Sequence, residues 1–309
     1  MNKKHETDFF DIFGTGHDRF GFPEGIHRVT AGHGGEAILI CGSEKTALLD
    51  CGMAYCGDEL VENLRQSLSG RTLDYILLSH SHYDHIGALP YVKRAYPEAV
   101  VYGAEKAQSI LIRPGARQLM KDLGETARDK YEPGSQREII TDGLAVEKVI
   151  KEGDEISLGN EKFVVLETKG HTDCSLTFVL EPMGMMFASE STGILEKIDY
   201  VHTPILKSYE DAMESFEKCK AYGPKTIVLP HFGMIPEDFN ETYWNFFEKE
   251  VENKRVYLRG LVKEGLSEDE IFRQYAAKYW DPIKEQEQPY EAFMINSKNI
   301  VKVLLKSLD

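Results

Sequence analysis

The chain has no long apolar run, little sulfur and a shortage of positive charge. None of its 309 residues falls in a stretch approaching the ~18 consecutive apolar residues that crossing a bilayer requires. The opening residues, Met1-Asn2-Lys3-Lys4-His5-Glu6-Thr7-Asp8, lack the apolar core of a secretory signal. Five cysteines are an odd number and too few for a disulfide framework in a chain this long; they read as free thiols in a reducing cytoplasm. Cys51 and Cys56, five apart beside a motif, are read as structural. Lys and Arg total 36 against 51 Asp and Glu, a net charge of −15. A phosphate backbone demands clustered cations, so neither nucleic acid nor membrane is expected as a partner. What remains is an ordinary globular composition, large enough for one big domain or a domain with an extension.

Against this background one stretch stands out. Ser79-His80-Ser81-His82-Tyr83-Asp84-His85 follows directly on the apolar run Tyr75-Ile76-Leu77-Leu78. His80 and His82 are two apart, so a continuing strand sends them to the same side. Asp84 and His85 come one residue later and turn toward a second point. Four ligand-type side chains on a turn leaving a rigid strand suit one or two divalent metals with nitrogen and oxygen donors.

The pattern His80-x-His82-x-Asp84-His85-x-Gly87 resembles the signature of the metallo-β-lactamase superfamily, and further motifs follow in the family's order. Ala47-Leu48-Leu49-Asp50-Cys51-Gly52 is similar to its early strand-Asp-Gly motif. Thr168-Lys169-Gly170-His171-Thr172 is similar to its Thr-Pro-Gly-His-Thr motif, with Lys169 in place of Pro. Met185-Met186-Phe187-Ala188-Ser189-Glu190 occupies the strand that normally ends in Gly-Asp, and Leu229-Pro230-His231-Phe232-Gly233 resembles the late Pro-Gly-His-Gly motif. Together these span roughly residues 25–235. The wording His82-Tyr83-Asp84-His85 and Gly87-x-Leu89-Pro90-Tyr91, with a helical tail, is closer still to the quinolone-signal response branch.

The resemblance implies an α/β fold: the four-layer αββα sandwich, with the metal site at its open edge. The chain's own pattern is compatible with it. Strand-like runs at 26–30, 36–41 and 46–50 precede a helix over 58–69, with Leu60, Val61, Leu64 and Leu68 on one face. A strand at 73–78, a helix at 88–96 and a strand at 99–102 follow. A second strand set is expected at 144–149, 155–158, 163–167, 176–180 and 185–188, then a helix over 208–221 and a strand at 226–229. Residues 1–24 read as an N-terminal arm lying on the body. Residues 104–140, helical at 104–111 and 117–129, read as an insertion that is either a pocket wall or a solvated ornament. The catalytic domain is placed at 1–235 and a helical C-terminal extension at 236–309, with helices at 240–262, from the Ser267-Glu268-Asp269-Glu270 capping pattern to Trp280, and at 290–308. The extension's aromatic stripe reads as packing, with a lid or a homodimer surface as the alternatives.

The resemblance assigns His80, His82 and His171 to one metal and Asp84, His85 and His231 to a second. Two close dications repel unless carboxylate neutralises them. The family's bridging Asp is replaced here by Glu190, one methylene longer, which makes Glu190 the seventh expected ligand. Asp50 is expected either to hydrogen-bond the metal loop or to be a plain turn residue. His202 rivals His231 as the last ligand but lacks its motif and reads as a loop residue. His5, His17, His27 and His33 carry no functional reading.

The implied activity is metal-dependent hydrolysis of a small ester, thioester, lactone or phosphodiester. Zinc is the first expectation for the two divalent ions, and iron or manganese suit the same donors. Asp84 is the expected catalytic residue, orienting the attacking water. Alternatives are an iron-dependent enzyme handling oxygen or sulfur on the same fold, and a signalling protein with a vestigial site. The di-iron branch replaces the second His of the motif with Glu, whereas this chain keeps His82.

Overall fold

The computed structural model describes residues 17–308; the proposed N-terminal arm up to residue 16, with His5, lies outside the described residues. Two six-stranded sheets face each other. The first contains β1 (Ile26–Arg28), β2 (Ile38–Cys41), β3 (Thr46–Leu49), β4 (Tyr75–Leu77), β5 (Val100–Gly103) and β6 (Lys148–Val149), in that spatial order. β1 to β3 form an antiparallel meander, and β3 to β6 pair in parallel. The parallel strands are linked by crossovers through the helices α1 (Gly57–Leu68), α2 (Tyr83–Ile86), α3 (Leu89–Ala95), α4 (Glu105–Leu111) and α5 (Pro114–Tyr131).

The second sheet contains β7 (Glu155–Ser157), β8 (Lys162–Glu167), β9 (Leu176–Glu181), β10 (Met185–Phe187), β13 (Thr226–Val228) and β14 (Met234–Ile235), ordered β14-β13-β10-β9-β8-β7. β11 (Ile194–Lys197) and β12 (Tyr200–His202) form a separate antiparallel hairpin. Alternation along the second sheet explains the layering. Leu176, Phe178, Leu180, Met185 and Phe187 join the core shared with the first sheet, whereas Val179 and Met186 between them enter a second core on the opposite face. Period-two side chains thus serve two interiors at once, so these strands read as continuous apolar runs. Helices lie outside both sheets, giving the expected four-layer αββα sandwich.

The second core is closed by α6 (Tyr209–Tyr222), α7 (Asn240–Lys263), α8 (Glu268–Tyr279) and α10 (Tyr290–Lys306); the short α9 (Pro282–Glu287) links the last two. Ser267 caps α8 in the expected capping box. Phe216 of α6 and Phe247 of α7 stack at 4.6 Å, and both are fully buried. The aromatic stripe after Pro236 is therefore packing. It shares one interior with the second sheet.

Several local expectations are corrected. The strand expected over 144–149 is confined to Lys148–Val149, because the Leu144 and Val146 carbonyls are taken by side chains, Arg117 Nη2 at 3.0 Å and Gln108 Nε2 at 3.1 Å, instead of a ladder. His202 does not sit in a loop: it ends β12, paired with Ile194. The turn Glu190–Thr192, the hairpin that follows it, β14 and α9 were not anticipated. Residues 104–140 do not stand off the body. α5 buries Ala127 in a small cluster with Met53, Tyr55, Cys56 and Tyr83, and Ile139 closes it.

Candidate metal centre

The site lies where both sheets present their strand ends. The buried strand β4 delivers Ser79 and His80, and the chain then turns into the short helix α2, which carries Asp84 and His85. Gly87 ends this turn, where a Cβ would come within 2.4 Å of the Tyr83 carbonyl and 2.6 Å of the Ala54 nitrogen. No other residue closes the loop so tightly. From the second sheet, β8 leads to His171, β10 to Glu190 and β13 to His231. Gly170, at φ +122°, sets His171 down against α6; a Cβ there would collide with the Ala212 backbone at 2.5 Å.

All seven expected ligands converge. His80, His82, His171 and Glu190 bring one donor atom each within 4.8 Å of one another, and so do Asp84, His85, His231 and Glu190. Glu190 belongs to both groups. Its Oε1 lies 3.0 Å from His85 Nε2, 3.5 Å from His171 Nε2, and 3.6 Å from both His80 Nε2 and His231 Nε2. The longer side chain thus reaches the midpoint from a backbone set back in a 3₁₀ turn. His202 is in neither group, which removes it as the rival ligand.

Partners outside the cluster fix how the rings face. His171 Nδ1 donates to the Pro204 carbonyl at 2.8 Å, which turns its Nε2 lone pair inward. His85 Nδ1 donates to Asp50 Oδ2 at 3.0 Å. Asp50 also accepts from the Ser79 amide at 2.8 Å and from the Ser79 hydroxyl at 2.5 Å. The early motif therefore braces the loop, as the first of its two expected readings holds. Asp50 occupies the left-handed region at φ 53°, strain carried at the point where β3 must turn its carboxylate inward.

The electrostatics are those of a site built for cations. Burial, then the neighbouring rings His85, His82 and His171, holds His80 well below the usual imidazole range. Burial and His171 push His82 down to about 4. For His85 burial acts downward, but Asp84, Asp50 and Glu190 prevail and raise it to about 10. Glu190 is held well below the carboxylate range despite burial, through His171, His231 and His85. Buried neutral imidazoles normally have their nitrogens hydrogen-bonded. Here His80 Nε2 is buried without a hydrogen-bond partner, His85 Nε2 faces His231 Nε2 at 3.3 Å, and His171 Nε2 faces His82 Nδ1 at 3.0 Å. Imidazole nitrogens turned toward one another around a carboxylate fit divalent ions of the imidazole-and-carboxylate class.

A cavity of about 280 Å³ opens above Asp84 and Glu190. Leu119 and Leu123 of α5 form one wall and Ala292, Ile295, Asn296 and Asn299 of α10 another. The insertion thus lines the cavity as a wall, and the tail lines it too, beside its part in the packing. Lys130 Nζ of α5 ties the two, donating to the carbonyls of Glu285 and, at 2.9 Å, Gln288. α7 supports the site from behind: the Tyr243 hydroxyl donates to the carbonyls of Thr192 and Gly193, at 2.7 and 3.0 Å, next to Glu190. Sequence reasoning missed Glu196, Lys284, Asn296 and Asn299, which carry no motif. The spacing 292, 295, 296, 299 on a helix was the one available signal. Among the described residues, no helix is long and apolar enough to cross a membrane, and all five cysteines are free.

Comparison with known proteins agrees with this geometry. A protein from Sulfurisphaera tokodaii described as metallo-beta-lactamase fold-containing protein ST1585 is 24% identical over 251 residues, covering 78% of this chain and 91% of that one. Its crystal structure superposes with a TM-score of 0.54 over 75% of this chain and 87% of that one, at 22% identity. The metallo-beta-lactamase family protein TTHA1429 from Thermus thermophilus gives a TM-score of 0.61 over 92% and 95% of the two chains, at 17% identity. Coenzyme F420H(2) oxidase from Methanothermobacter marburgensis is 29% identical over 161 residues, covering 51% of this chain but only 34% of that protein. The sequence profile of the Metallo-beta-lactamase superfamily matches residues 30–231, running from the first meander to the last expected ligand. The chain belongs to the metallo-beta-lactamase superfamily.

Proposed function

We propose that the protein is a dinuclear metallohydrolase that cleaves a small ester, thioester, lactone or phosphodiester. His80, His82 and His171 would hold one divalent ion, Asp84, His85 and His231 the other, with Glu190 shared. Zinc is the first candidate; iron and manganese accept the same donors. When bound, such ions lower the pKa of water from about 15.7 toward 7 and polarise the oxygen under attack. The residues do the rest. Asp84, the least buried of the acidic donors and part of the cavity lining, orients the attacking water and accepts its proton at a carboxylate oxygen. Asp50 holds His85 in the tautomer that points Nε2 inward. Leu119, Leu123 and Phe232 give the cavity apolar surface beside the donors.

The observation that carries this reading is Glu190 Oε1 within 3.6 Å of four imidazole nitrogens. The likeness to the quinolone-signal response branch keeps a signalling role as an outcome of the test, and a soluble cytoplasmic setting, monomeric or homodimeric, goes with either. A second reading, iron-dependent oxygen chemistry, is favoured by the kinship with the F420H(2) oxidase, while His82 in place of that branch's Glu weighs against it. Protein purified without added metal should contain nearly two metals per chain and hydrolyse members of a panel of chromogenic phosphodiesters, thioesters and lactones. Fewer than one metal per chain under excess metal, with no turnover, overturns the proposal. Iron with oxygen consumption favours the second reading.

A further inference from the structure

The cavity holds a histidine that the metal centre does not use. His202 lines the cavity and is only 8% exposed. Its Nδ1 is buried with no hydrogen-bond partner. The ring lies near enough to Glu190 and His171 to feel their charge, yet it is outside both donor groups.

Its position is set from three sides. β12 pairs it with Ile194, which also faces the cavity. At Gly193 (φ +91°) a Cβ would lie 2.6 Å from the Val201 side chain and 3.1 Å from the His202 carbonyl, so the hairpin is packed as closely as it can be. The residue after it, Thr203, is pinned through its hydroxyl by Lys254 Nζ at 2.8 Å. A rigid strand thus holds this imidazole in a cavity wall, its Nδ1 buried on the protein side. Burial, with Lys284 and Lys254 nearby, keeps the ring neutral, so one nitrogen donates and the other accepts.

The rest of this wall is of the same kind. Asn296 and Asn299 line the cavity from α10. The buried cation there, Lys284, is already taken up by both oxygens of Glu196, at 2.5 and 2.6 Å. The other cation of the lining, Lys207, is exposed. A wall of neutral groups that both donate and accept matches a neutral ligand group that does both.

We infer that His202 is a substrate-contacting residue, which with Asn296 and Asn299 recognises a neutral hydroxyl or amide on a substrate whose scissile bond lies over Asp84 and Glu190. This rests on the hydrolase reading and narrows it to small acyl compounds bearing such a group.

The test compares p-nitrophenyl butyrate with p-nitrophenyl β-hydroxybutyrate, which differ by one hydroxyl. The protein should prefer the hydroxylated ester by about tenfold in kcat/KM, the worth of one matched hydrogen bond in a buried site. His202→Phe should bring that ratio close to one, and His202→Gln should retain part of it. Metal content should be the same in all three proteins. No preference in the parent protein, an unchanged ratio in His202→Phe, or metal lost in both variants overturns the inference. Should the parent protein cleave neither ester, the hydrolase reading is decided separately, by turnover on the wider panel of phosphodiesters, thioesters and lactones. His202 is then read by NMR of nitrogen-labelled histidine, its signal assigned by its absence in His202→Gln. Saturable movement of that signal with β-hydroxybutyramide but not with butyramide upholds the contact, and no movement overturns it.

Discussion

Glu190 Oε1 and His85 Nε2 lie 3.0 Å apart at the point where the two donor groups meet. A buried carboxylate without a cation would cost several kcal/mol or take up a proton. Here its oxygen is instead ringed by imidazoles. Glu190→Gln keeps the shape and removes the charge, so metal titration followed by elemental analysis should show one ion retained and the other weakened. Glu190→Asp should restore only part of the loss, because the 3₁₀ turn holds the backbone back. Two ions retained by the Gln variant with full turnover would remove Glu190 from the ligand set.

Asp50 touches the loop at three atoms but belongs to neither donor group. Asp50→Asn should therefore lower metal affinity by roughly 10–100-fold, the usual effect of losing a residue that orients a ligand. Circular dichroism should be unchanged. An affinity equal to that of the parent protein would make Asp50 a turn residue only.

Phe247 shows that the tail cannot be removed cleanly. It stacks on Phe216 and is fully buried, so Phe247→Ala should cost about 3–5 kcal/mol in urea unfolding. Truncation after Pro236 should give a chain that fails to fold, since it leaves α6 alone to cover the outer face of the second sheet. A truncated protein with native circular dichroism and a cooperative transition would contradict this.

Most of the fold and all seven converging donors were legible because their causes are local. A strand run followed by His80-x-His82-x-Asp84-His85 carries its geometry within a few residues, and so do Gly170-His171 and Pro230-His231. The β11–β12 hairpin was not legible. Ile194-Leu195-Glu196-Lys197 places two charges in a short strand, and Glu196 is tolerated only because Lys284, distant in sequence, neutralises it. The cavity wall was hidden for the same reason: Asn296 and Asn299 gain meaning only once α10 is laid across the site. Lys169, standing where the family has Pro, is accommodated simply, its ammonium pairing with Glu167 at 3.0 Å.

Lys254 gives a pH signature to the tail. Its ammonium is fully buried, and burial lowers its pKa from 10.5 to about 7, with Glu250 and Glu196 opposing and Lys284 adding to the shift. The folded-state value is depressed, so between pH 7 and about 10.5 the unfolded chain binds the extra proton. Stability therefore rises with pH across that window, by up to about 1.4 kcal/mol per pH unit from this group. Urea midpoints at pH 7 and 9.5 should show a smaller rise in Lys254→Met than in the parent protein. Identical pH dependence would mean that Lys254 is not held buried in solution.

Lys130 bridges the insertion and the tail through two carbonyls near the end of α9. Lys130→Met should leave the global unfolding midpoint within ~0.5 kcal/mol, as expected for a surface substitution. Amide hydrogen exchange over residues 282–288 should become faster, because local opening no longer breaks that tie. Unchanged exchange would show that packing alone holds the segment.

α10 has two faces with different duties: Phe293, Ile300 and Leu304 are buried, while Ala292, Asn296 and Asn299 line the cavity. This has a consequence for biogenesis. On the ribosome His231 emerges well before Ala292, so a nascent chain carries every expected metal donor while its cavity still lacks a wall. Because the second sheet is not covered until the tail is made, those donors gather into one site only after α10 has been added, and chelators present during synthesis should act on a different species from chelators added afterwards.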